Sequence, residues 1–67
     1  MNWIRGGTYF LTTDQFNISM VRASDGKTRI YELWNKKTKE CLGMVRAAGD
    51  LAERQAVQHL KDLAEAS

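Results

Sequence analysis

Between Phe16 and Arg46 apolar and polar residues alternate, and two short polar runs interrupt the alternation. The alternating stretches are FNISMVRA, TRIYELW and CLGMVR; the interruptions are SDGK and NKKTKE. A period of two sends successive side chains to opposite faces of an extended chain, so these stretches predict strands over about 16–23, 28–34 and 40–46. Ahead of them, Thr8 to Thr12 (TYFLT) is aromatic and β-branched and predicts another strand over about 8–12. After Asp50 the period changes to that of a helix. Ala52, Ala56, Leu60 and Leu63 recur on one side with Val57 and Ala64 beside them, while Glu53, Arg54, Gln58, Lys61, Asp62 and Glu65 fall mostly on the other. A helix is therefore expected over about 51–66, with Asp50 as N-cap and Glu53 supporting the first turn. Met1 to Gly7 shows no helix signal; Gly6-Gly7 permits a kink. The expected fold is α+β, one domain over residues 1–67: an antiparallel meander of three or four strands with the helix packed across one face.

Turn chemistry sets the expected registers. Asp25-Gly26 tolerates the positive φ of a tight hairpin, and a loop closed on Ser24 and Lys27 places Arg22 opposite Arg29, Met20 opposite Tyr31 and Ile18 opposite Leu33. Phe16, Ile18, Met20, Tyr31 and Leu33 then share the core face, an agreement that a one-residue slip destroys. For the next hairpin, a four-residue loop of Lys36 to Lys39 sets Leu33 opposite Leu42 and Tyr31 opposite Met44. A five-residue loop puts Cys41, Gly43 and Val45 on the core face instead. The four-residue loop supplies the larger core side chains and is preferred. By the same logic, a loop of Thr12 to Gln15 sets Leu11 opposite Phe16 and Tyr9 opposite Ile18.

Composition narrows the class. A chain of 67 residues has room for one layer of sheet against one helix and little for a substrate cavity. No apolar run approaches the ~20 residues of a membrane span, and no signal-type segment follows the first methionine, so a cytoplasmic setting is expected. The single cysteine, Cys41, supplies neither an internal disulfide nor a thiolate cage, and His59 has no second histidine at ligand spacing. No Ser-His-Asp set, Gly-rich phosphate loop or close pair of strand-borne carboxylates is present. No catalytic residue, cofactor or metal site is expected. The formal net charge of +2 is unevenly spread: residues 1–49 hold eight Lys/Arg against four Asp/Glu, and residues 50–67 hold two against four.

Two surfaces remain as candidates. On the face away from the helix, Val21, Ile30, Trp34, Cys41 and Val45 form an apolar patch; either the amino-terminal segment folds back over it through Trp3 or Ile4, or it meets a partner or a second copy. On the helix side, Arg22, Arg29 and Arg46 are expected to form a row across the sheet. Opposed like charges are unfavourable, so either helix acids neutralise the row or a phosphate or carboxylate does. Lys36, Lys37 and Lys39 at a hairpin tip add a possible grip on a phosphate backbone.

The order YFLTTDQFNISMVRA, DGKTRIYELW, LG and LAERQAVQHLKDL resembles small phage- and prophage-encoded proteins, over nearly the whole chain. That resemblance implies a bacterial host cytoplasm and action without catalysis, some such proteins being inhibitors of host defence. The strand–strand–strand–helix part is also similar to half of a double-stranded-RNA-binding domain, with Ala52, Ala56, Leu60 and Leu63 in the closing helix. It differs in having no leading helix and in carrying Asp50 where that family places lysines. Some integrase arm domains read DNA with a similar three-stranded sheet. The expected function is binding of a protein through Val21, Ile30, Trp34 and Val45; the alternative is nucleic-acid binding through Arg22, Arg29, Arg46, Lys36, Lys37 and Lys39.

Overall fold

A computed structural model describes residues 1–67. Five strands, β1 (Ile4–Gly6), β2 (Tyr9–Thr12), β3 (Phe16–Arg22), β4 (Arg29–Asn35) and β5 (Cys41–Ala47), precede one helix, α1 (Asp50–Glu65). The strands form one antiparallel sheet in sequence order. The α+β class and the meander agree with the sequence; the strand number is five rather than three or four. The additional strand is β1. Gly6-Gly7, read as a kink, begins a hairpin: Gly6 pairs with Tyr9, and Gly7 takes φ 62° in the loop, a conformation open to glycine.

The β3–β4 register holds as expected, from Phe16 opposite Asn35 through Met20 opposite Tyr31 to Arg22 opposite Arg29. Its loop is wider than a two-residue turn. Ala23 N–H donates to the Thr28 carbonyl, and the Asp25 carboxylate accepts from Lys27 N–H, Thr28 N–H and the Thr28 hydroxyl. Those bonds, the Thr28 hydroxyl foremost, lower the Asp25 pKa to about 2. The β2–β3 hairpin is shifted by two from the expected pairing. Thr13 N–H donates to the Phe16 carbonyl, so Asp14-Gln15 forms the loop and Leu11 faces Ile18. A shift of two keeps each paired residue on its face.

The β4–β5 pairing differs more. Asn35 N–H donates to the Glu40 carbonyl and Trp34 faces Cys41, which is the four-residue loop. One residue later the register slips: Leu33 faces Gly43, not Leu42, and Tyr31 faces Val45, not Met44. Leu42 is thus the extra residue of a bulge, and beyond it every β5 side chain changes face. Val45 and Ala47 turn to the core; Met44 and Arg46 turn outward. The cause is the helix. A Cβ on Gly43 would lie 2.8 Å from Leu63 Cδ1 and 3.2 Å from Leu60 Cδ2, so α1 sits too close to β5 for Leu42 or Met44 to lie beneath it.

The core is one layer between sheet and helix: Phe16, Ile18, Tyr31, Leu33, Ala47, Ala56, Leu60 and Ala64 are buried. Trp3, Phe10, Leu11, Met20, Val45, Ala52, Val57 and Leu63 pack against it. Trp3 brings its indole Nε1 into the interior without a hydrogen-bond partner. The helix begins one residue before the expected start, and Gly49, at φ 95°, occupies the cap position assigned to Asp50. No helix is long and apolar enough to cross a membrane.

Two substitutions test this packing by chemical denaturation. Leu60→Ala is expected to cost about 2–5 kcal/mol, the range for emptying a buried leucine site. Gly43→Val is expected to cost about 1–3 kcal/mol because it must displace Leu63 or Leu60. A neutral Gly43→Val would contradict the close helix–strand approach.

Candidate binding face

The two sides of the sheet differ. On the helix side a cleft of about 700 Å³ lies between α1 and the first strands, with Arg5, Phe10, Leu11, Arg29, Tyr31 and Glu53 among its lining residues. Phe10 and Leu11 both reach this side because three steps along β2 match two along β1, which puts an extra residue into β2. Phe10 meets Tyr31 edge-on at 5.4 Å between ring centroids, and the Arg5 guanidinium stacks over Phe10 at 5.3 Å. Glu53 joins the groups at one end. Its Oε1 accepts from Arg29 at 3.2 Å and from the Tyr31 hydroxyl at 3.1 Å, and its Oε2 accepts from Gly49 N–H at 3.1 Å. One carboxylate thereby caps the helix and anchors it to β4. Partial burial, reinforced by the Glu53 carboxylate, raises the Tyr31 pKa above its ordinary 10.0.

The expected arginine row is not formed. Arg22 and Arg29 are opposed on the helix side, where Glu53 takes Arg29, but Arg46 pairs opposite Ile30 and projects from the other face. The Leu42 bulge accounts for the displacement. Lys36 is also partly committed, donating from Nζ to the Thr13 carbonyl at 2.7 Å. Lys37 and Lys39 are exposed.

On the outer side no element covers the sheet. Trp3 joins the core on the helix side, and Ile4, paired with Thr12, lengthens the outer face by a strand instead of folding over it. Val21, Ile30 and Trp34 lie on this face as expected. Val45 does not; it packs half-buried against the core, and Met44 takes its place outside. Val21 is 50% exposed and Met44 56%, so the band is open to a partner. Glu32 sits between Ser19 and Met44, and Arg46 lies beside Ile30. At the hairpin-tip end a recess of about 240 Å³ is lined by Tyr9, Asn17, Trp34, Asn35, Lys36 and Lys39. The sequence reading overlooked Met44, Tyr9 and Asn17. Met44 lies outside in the five-residue-loop register that was set aside and is placed there by the bulge, whereas Asn17 was visible as the polar neighbour across from Trp34 in the expected register.

No three His, Cys, Asp or Glu side chains gather in a metal-holding group. Comparison with protein-family models, curated proteins and solved structures finds no match to this chain.

The Glu53 cluster has two measurable consequences. Glu53→Ala strands the buried end of the Tyr31 hydroxyl and the helix-start N–H, and is expected to cost about 1–3 kcal/mol by denaturation. Tyr31 is neutral in the fold and its pKa is raised, so its contribution to stability is complete below pH 10 and is lost as pH rises through the folded-state value. An alkaline ultraviolet titration is expected to show a late phenol component that disappears in Tyr31→Phe; an unchanged profile would contradict the placement of Tyr31 against Glu53.

Proposed function

We propose that this chain is a small, non-catalytic, phage-type binding protein that holds another protein against the outer face of its sheet. The observation that carries the reading is the uncovered band of Val21, Ile30, Trp34 and Met44. A five-stranded sheet with a helix on one side and apolar residues on the other exposes more apolar surface in one place than solvation favours, and such patches mark interaction sites. Half-exposed Val21 and Met44 lie beside Ile30 and Trp34, with Glu32 at the middle of the face and Arg46 and the lysine tip at its border, which suits a flat contact of mixed apolar and charged character. Nucleic-acid binding is the second reading. With Arg29 held by Glu53 and Lys36 by the Thr13 carbonyl, its remaining cations are split between the two faces, Arg22 on the helix side and Arg46 on the outer face that carries Glu32 at its middle, with Lys37 and Lys39 at the hairpin tip. The setting that suits this reading is the cytoplasm of a bacterial host.

Peptide-display selection against the labelled protein, followed by chemical-shift mapping, tests the proposal. Selected peptides are expected to perturb Val21, Ile30, Trp34 and Met44, and to lose affinity in Val21→Lys and Met44→Lys variants whose denaturation midpoints stay near that of the parent. Peptides that map to the helix side would overturn it. So would a DNA or RNA duplex that binds at low salt and is released steeply as salt rises, the mark of counterion release. Light scattering of the free protein separates a second copy from a different partner.

A further inference from the structure

The recess at the hairpin-tip end of the outer face is built from hydrogen-bond donors. Asn17 forms its floor and is the only polar residue of the chain that is buried, at 7% exposure. The Asn17 Oδ1 is already used, accepting the Thr12 hydroxyl at 2.6 Å, while no hydrogen bond in the structure engages its amide Nδ2. That nitrogen is not among the buried atoms that lack a partner, so its N–H groups open to solvent at the recess and are free to donate to a ligand acceptor. Asn35 behaves alike: its Oδ1 accepts Lys37 N–H and Thr38 N–H, which leaves only its NH2 to offer. Lys36 and Lys39 complete the rim, Lys36 held in place by the Thr13 carbonyl, and Trp34 and Tyr9 form aromatic walls. No carboxylate lines the recess. Donors and ammonium groups around an aromatic-walled hollow select an oxyanion with some carbon attached.

We propose that this recess binds a carboxylate from the partner protein, carried on an aspartate or glutamate whose neighbours are apolar. The inference rests on the reading of the outer face as a protein-binding surface and names the chemistry of the partner. A volume of about 240 Å³ suits a single side chain. A phosphate oxyanion would meet the same donors, but a chain of phosphates leaving the recess along β4 would next cross Glu32 and the apolar residues Val21, Ile30 and Met44. A peptide whose acidic residue seats between Asn17 and Lys39 and whose apolar side chains lie on Val21, Ile30 and Met44 brings no further negative charge beside Glu32. The partner segment is acidic at one end and apolar along its length.

The test uses the full 67-residue protein, isotope-labelled, and three probes: the capped peptide acetyl-Leu-Asp-Leu-amide, its asparagine counterpart, and a 5′-phosphorylated thymidine dinucleotide. The acidic peptide is expected to shift the Asn17 side-chain amide and the Trp34 indole N–H, with the asparagine peptide weaker. Lys39 is the one non-glycine residue at positive φ, 63°, so Lys39→Gly removes an ammonium while relieving the backbone. It is expected to keep the fold and weaken the acidic peptide about two- to fivefold, the scale of one exposed charge pair. An Asn17 amide that stays still at millimolar acidic peptide overturns the proposal, as does equal response to the asparagine peptide. If the peptides shift Val21, Ile30 and Met44 but leave Asn17 unmoved, the carboxylate pocket falls and the outer-face reading stands. If the dinucleotide shifts Asn17 more strongly than the acidic peptide, the proposal falls in favour of nucleic acid.

Discussion

The closeness of α1 to β5 is the constraint on which the arrangement of this protein depends. Leu60 and Leu63 project so far toward the sheet that a side chain at position 43 would have to push their methyl ends aside. Gly43 fits that approach without displacement, and the bulge at Leu42 brings it there. Everything downstream follows from that single inserted residue. It turns Val45 and Ala47 inward, leaves Met44 and Arg46 on the outside, and separates Arg46 from Arg29. A helix seated farther off would have allowed the even register, a thicker core and a different surface. Dense packing leaves no intermediate choice, because interiors tolerate neither overlap nor voids.

Electrostatics secures what packing arranges. Glu53 stands where the helix begins and reaches three donors from different parts of the chain: Gly49 in the connection, Arg29 and Tyr31 on β4. It replaces the side-chain cap that Gly49 lacks. It also neutralises one of two arginines that face each other across β3 and β4, a pairing that would otherwise be repulsive. On the helix side the Arg29–Glu53 pair holds the fold, while Asn17, Asn35 and Lys39 offer donors on the other face. The proposed contact with a partner accordingly lies on the outer surface.

Much of this was legible in the chain. The Asp25-Gly26 turn and the parity of Phe16, Ile18 and Met20 with Tyr31 and Leu33 settle the central hairpin, because turn and alternation are local and agree. The helix is likewise local, and Ala56, Leu60 and Ala64 fall on its buried side. The β5 faces were not legible. Preference for large core residues favoured Leu42 and Met44 over Gly43 and Val45, and only the height of the helix above the sheet, a property of distant residues, reverses that preference. Strand β1 was obscured by Gly6-Gly7, which serves a kink as well as a hairpin loop. For the outer surface, Val21, Ile30 and Trp34 follow from the central register. The floor of the recess depends on Thr12 consuming the Asn17 carbonyl oxygen, a pairing that the expected β2–β3 loop, shifted by two residues, did not contain.

The same bulge has an effect on the rim of the sheet. An open sheet presents two strands whose outward N–H and C=O groups are unpaired, and such rims recruit other chains into cross-β growth. Here one rim is β1, only three residues long and ending in glycine, and the other is β5, whose regular spacing Leu42 interrupts. Neither offers the long, flat template that fibre growth requires. The chain thus exposes an apolar face while its two edges offer little purchase for polymerising edge to edge.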